Sequence, residues 1–91
     1  MVNVGVDLVK AITATEQLVL GSNPQRLYAL LVNDGSNPIY LSKGIPAAAN
    51  RGIRINASGG SYEINLTNPW HGEVHAVCGA GLTSTLLIEE N

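Results

Sequence analysis

Charge is what this sequence has least of. Asp, Glu, Lys and Arg make up 13% of its 91 residues, about half the usual share for a globular chain. The net charge is −2, and the five basic residues (Lys10, Arg26, Lys43, Arg51 and Arg54) are scattered. Neutralising phosphates requires clustered Lys and Arg, so there is no electrostatic footprint for nucleic acid. Aromatics are scarce too. Tyr28, Tyr40, Tyr62 and Trp70 stand without a single Phe, too few to build stacking platforms for single strands. Cys78 is the only cysteine, which rules out an intramolecular disulfide and fits a reducing compartment. No apolar run approaches the ~18 residues of a membrane helix. The N-terminus lacks the basic and continuous apolar regions of a signal peptide. These absences predict a soluble chain made in the cytoplasm, with neither nucleic acid nor membrane as a partner.

What is present is alternation and turn chemistry. The apolar fraction is 45%, enough for one thin core in a single domain spanning 1–91. Val2 to Val9 alternates, with Val2, Val4, Val6 and Leu8 on one side, as in a strand with one buried face. It pairs either within its own sheet or with a neighbour as an arm, and residues 1–20 are a candidate assembly element. Lys10 to Leu20 is rich in Thr and β-branched residues and reads as strand, with a short helix through Glu16–Leu20 as the alternative.

Arg26 to Leu41, RLYALLVNDGSNPIYL, reads as a hairpin. An apolar strand leads to a turn at Val32-Asn33-Asp34-Gly35, where Gly and Asn tolerate positive φ, and Asn37-Pro38 opens the return strand. Leu27, Ala29 and Leu31 share one face of the first strand; Tyr28, Leu30 and Val32 share the other. Both faces being apolar, the strand is expected at the centre of the fold and covered on both sides. Further strands follow at Ile53–Ile55, Ser61–Leu66 (Tyr62, Ile64 and Leu66 inward), Glu73–Cys78 and Leu82–Ile88 (Leu82, Leu86 and Ile88 on one face). Gly44–Gly52 is a loop, and Thr67–Gly72 carries the Trp. About seven or eight short strands, with turn signals every 8–12 residues or so, predict an all-β fold: a small β-sandwich or jelly-roll-like barrel of antiparallel strands.

Candidate chemistry is thin. His71, His75 and Cys78 have some look of a metal site, but zinc needs three or four converging ligands. On a strand, His75 and Cys78 face opposite sides, and His71 lies in a loop. Cys78 beside Val77 and Gly79 suits an inert core thiol better than a nucleophile. Gly59-Gly60 and Gly79-Ala80-Gly81 read as turns, because phosphate loops need a helix behind them. The carboxylates are dispersed, with no acid/base couple. Catalytic, cofactor-binding and metal-ligating residues are therefore expected to be absent. Trp70 is a core cap or an interface anchor, a role in which Trp is enriched.

Four stretches in order, RLYALLVNDGSNPIYL, GIRINASGGSYEI, PWHGEVHAVCGAG and the final LLIEE, resemble small β-sandwich virion proteins of tailed bacteriophages. The resemblance covers roughly 24–90 and leaves Val2–Leu20 aside. It implies a structural role, most often head decoration (cement), with tail, baseplate or fibre modules as the alternative. A carbohydrate- or host-surface-binding sandwich using Trp70 is a third reading. The implied partner is the major capsid protein or another virion protein, met by a homo-oligomer on the outer surface of the head. A trimer is favoured over a dimer by analogy with capsid symmetry. Trp70, His71, Arg51, Arg54 and Tyr40 are the expected partner contacts. The resemblance implies no catalytic residue and no cofactor.

Overall fold

The computed structural model describes residues 6–91. It is all-β. The strands are β1 (Val6–Ile12), β2 (Gln17–Leu20), β3 (Ala29–Asn33), β4 (Ile39–Lys43), β5 (Ile53–Ile55), β6 (Gly60–Ile64), β7 (Val74–Val77) and β8 (Ser84–Glu90). They form two four-stranded sheets, ordered β1-β8-β3-β6 and β2-β7-β4-β5, in which every pairing is antiparallel. The two orders correspond position by position, so β1/β2, β8/β7, β3/β4 and β6/β5 take equivalent places. The core between the sheets holds Ile12, Leu20, Leu31, Ile39, Leu41, Ile55, Ile64, Val74, Leu86 and Ile88.

The expected hairpin at Arg26–Leu41 is not one. β3 belongs to the first sheet and β4 to the second, so the Asn33–Pro38 turn is an arch that carries the chain across the core. The reason is the Asn33 side chain. It points inward and binds the Asn37 and Ile55 carbonyls at 2.7 and 3.0 Å, which draws the exit of the turn toward the other sheet.

Elsewhere the strand register matches the alternation, with local corrections. Lys10–Leu20 is two strands and not one, broken at residues 13–16, and the alternative helix is absent. The part of the Val2–Val9 strand before Val6 lies outside the described residues; from Val6 onward it is a strand, and it pairs with β8 of its own chain. Leu27 is 65% exposed, because burial of the neighbouring Arg26 turns Leu27 outward ahead of β3. Leu66 is 80% exposed. There Asn65 Oδ1 accepts from the Thr67 and Asn68 amides, an Asx turn that reverses the chain just after Ile64. Leu82 is also exposed, since β8 begins only at Ser84.

The two outer faces of the sandwich differ. The Gly44–Gly52 loop folds back over the second sheet, where Tyr40, Val77 and Ala47 make a small outer core. The Tyr40 hydroxyl reaches Asn50 Oδ1 at 3.0 Å. The outer face of the first sheet has no such roof among the described residues.

Candidate functional site: an apolar, acid-rimmed sheet face

In an antiparallel sheet, paired residues share a face. Val9 pairs with Leu87, and Leu87 with Val32. Ile88 and Leu86 are buried, so this row points outward. Three side chains from β1, β8 and β3 thus form an apolar row across the open face, and Leu30 extends it along β3. In the neighbouring row, Asp7 pairs with Glu89, Glu89 with Leu30 and Leu30 with Glu63. All three carboxylates are exposed. Val9 is 71% exposed, while Leu30, Val32 and Leu87 are half-buried. A shallow groove of about 320 Å³ runs here, lined by Asp7, Leu8, Leu30, Val32, Leu87, Ile88 and Glu89. Glu63 beside Tyr28 raises that phenol's pKa, by hydrogen bonding above all and then by burial and charge. No Lys or Arg stands on the described part of this face. Lys10 pairs with Leu86 and so projects to the inner side.

The expected contact residues do not gather there. Tyr40 is 8% exposed, covered by its own loop and so removed from any partner surface. Trp70 is half-buried against the core; its indole N–H donates to the Glu73 carbonyl at 3.0 Å, and Lys43 Nζ lies 5.5 Å from its ring. It is a cap on its own loop. His71 is exposed, and its carbonyl accepts from the Asn23 amide at 2.8 Å. Arg54 is exposed and pairs with Asn56 at 3.0 Å. Arg51 lines a second shallow groove with Ser42, Ile45, Pro46, Ala48 and Gly52.

The signal for the open face was in the sequence: both faces of 28–32 are apolar, and Leu87 stands opposite Leu86 and Ile88. Such a pattern implies cover from something. It does not say whether the cover belongs to the same chain.

Cys78 is buried and its Sγ contacts the Ile12 carbonyl at 3.6 Å; burial raises the thiol's pKa, which keeps it a poor nucleophile. Among the described residues, no three His, Cys, Asp or Glu side chains are grouped so as to hold a metal ion. His75 is half-buried on the outer side of β7. Its Nδ1 meets Glu16 Oε1, and its Nε2 lies 3.1 Å from Glu73 Oε1. Glu16 Oε1 also accepts from the Ala47 amide at 3.2 Å, tying the roof loop to this cluster. Burial lowers the imidazole pKa, but hydrogen bonds and charge from Glu73 and Glu16 outweigh it, and the net shift is upward from 6.5.

Only the imidazolium can donate from both nitrogens. Because the folded pKa is the higher one, the stabilisation is complete below ~6.5 and is lost as pH rises through the folded value. The melting temperature is therefore expected to fall from pH 6 into the alkaline range, and exchange of the Ala47 amide to speed up. His75→Gln should flatten both trends. An unchanged pH profile in that variant would refute the assignment.

No family model, curated protein or solved structure matches this chain.

Proposed function

We propose that this chain is a structural virion protein, a phage capsid decoration (cement) module that docks on the head through the outer face of its first sheet. The observation that carries the reading is that face: an apolar row of Val9, Leu87 and Val32 beside Asp7, Glu89 and Glu63, left open by the described residues while the opposite sheet is roofed by its own loop. An uncovered sheet face of this kind marks an adhesive surface. The sign of its charge sets the chemistry of the partner, a protein surface of apolar side chains flanked by Lys or Arg. The ordered resemblance over 24–90 supplies the virion context. Binding the assembled lattice and not free subunits would stabilise the head by mass action. The carbohydrate-binding reading loses support, because Trp70 is engaged with its own loop.

Purified protein should co-sediment with heads lacking it and delay their disruption by heat. Raised salt should weaken the binding, since the rim charges are exposed. Leu87→Lys and Val32→Lys are expected to weaken it at least about tenfold with little change in melting temperature. Failure to bind heads would remove the decoration reading. Full binding by both variants would remove this face from it.

A further inference from the structure

We propose that two copies of this chain pair through β1, edge to edge and antiparallel, with the two-fold axis at Val9. The inference goes beyond head binding and holds whether or not the outer face meets a capsid.

Sheet edges in folded proteins are usually short, bulged or covered, because a bare edge templates pairing with another chain. β6, with five residues, is of ordinary length, but two of the four edges follow that rule: β5 has three residues, and β2 four with an irregular register at Leu18/Leu20. β1 does not. It is seven residues long and in unbroken register with β8, and no described segment pairs with its other side. Asp7, Leu8, Val9 and Ala11 are exposed.

The direction of the backbone groups is fixed by two contacts. The Thr85 carbonyl accepts from the Asp34 amide at 2.9 Å, on the β3 side, so Thr85 does not bond to Ala11, its neighbour in register. The Ala11 carbonyl instead takes the Gln17 side-chain amide at 2.9 Å. In an antiparallel pair the N–H and C=O of one residue point the same way, and successive residues alternate. Asp7, Val9 and Ala11 therefore aim their backbone groups at the free edge, while Leu8 and Lys10 bond to β8.

That edge is self-complementary. With Val9 opposite Val9 of the second copy, Asp7 stands opposite Ala11, and each pair exchanges both backbone hydrogen bonds. The Ala11 carbonyl has a second lone pair, so the Gln17 contact does not block this. The outer apolar row Val32–Leu87–Val9 then continues through the axis into its own copy, and the two Asp7 carboxylates are far apart. Lys10, on the inner side, falls opposite Leu8; the two Lys10 stems are diagonal neighbours whose charge solvent screens. A closed two-fold pair results, where capsid analogy alone pointed to a trimer. The contact is a single strand pair, below the size of a standard interface, so the dimer is weak.

Sedimentation of the full chain at concentrations up to about 1 mM should show the mass rising from one chain to two. Val9→Pro removes an N–H that bonds to no described residue of its own chain, and edge strands tolerate such a proline. It should abolish the dimer while far-UV circular dichroism stays unchanged. Val9→Cys should form a disulfide-linked dimer on mild oxidation, since cross-strand Cα atoms lie about 5.5 Å apart. Ala11→Cys, opposite Asp7, should not, and Cys78 is buried. A monomer throughout the range, a dimer that survives Val9→Pro, or equal crosslinking by both cysteine variants would overturn the proposal. Leu87→Lys, which weakens head binding, should still dimerise, so failure of one reading is distinct from failure of the other.

Discussion

Replacing Arg26 with Met is expected to lower folding stability by about 3–5 kcal/mol and the melting temperature by roughly 15–30 °C. Arg26 is 1% exposed, and four of its five guanidinium N–H donors are engaged. Nε donates to Glu90 Oε2 at 2.7 Å, Nη1 to the Trp70 and Gly72 carbonyls at 3.0 Å each, and Nη2 to the Gly21 carbonyl at 2.6 Å. One planar cation thus joins the segment after β2, the Trp70 loop and the last strand. Met fills similar space but donates nothing. Three carbonyls and a carboxylate, positioned to converge on Arg26, lose their partner, and unmet acceptors of this kind dominate the cost of such changes. Arg26→Lys keeps the charge but not the fork, so a loss of about 2 kcal/mol is expected. Denaturant titration would measure both. A loss below about 1 kcal/mol for Arg26→Met would show that the end of the sandwich closes without the cation.

Arg26 also shows what can be read from sequence and what cannot. Alternation at Ile53–Ile55, Ser61–Leu66 and Glu73–Cys78 located strands and, Leu66 apart, their inward residues, because a half-buried strand must alternate whatever its partners are. The arch at Asn33–Pro38 was harder. Turn residues such as Asn-Asp-Gly announce a change of direction, and a hairpin and an arch use the same ones. The difference lies in where the Asn33 amide finds acceptors, and Ile55 is 22 residues away along the chain. Arg26 beside Leu27 looks like an ordinary surface charge until Glu90, 64 residues on, is known to lie beside it. The open face falls between these cases. Leu30, Val32 and Leu87 advertised burial, but an intramolecular roof and a partner leave the same mark on a sequence. The Gly44–Gly52 loop, rich in small residues, proved to cover the second sheet and not the first.

The second large effect is expected at the arch itself. Asn33 is fully buried and every valence of its amide is occupied. Nδ2 donates to the Asn37 and Ile55 carbonyls, while Oδ1 accepts from Ser84 Oγ at 2.7 Å and from the Gly35 amide at 3.1 Å. The Asn33 carbonyl takes the Gly59 amide at 2.8 Å. Asn33→Asp preserves the shape and reverses half of the pattern, because two carbonyls then face a carboxylate oxygen. A loss of about 3–5 kcal/mol is expected at pH 7. The sign of its pH dependence follows. Burial and those carbonyls raise the folded pKa of the new Asp above its unfolded value of about 3.9. The penalty is therefore full above the folded pKa and shrinks as pH falls through it, since the protonated acid can donate to one carbonyl. Stability of the variant relative to wild type should recover on acidification, and an offset constant from pH 7 to about 4 would refute this account. Gly35→Ala tests the same corner by volume. A Cβ there would lie 2.0 Å from Ser84 Oγ and 2.6 Å from the Thr85 amide nitrogen. The hydroxyl can rotate away, but the backbone cannot. β8 must then shift where it begins, and β8 carries Leu87 at the centre of the open face. Gly35→Ala should therefore weaken partner binding even at temperatures where it remains folded, whereas Arg26→Lys, acting at the far end of β8, should not.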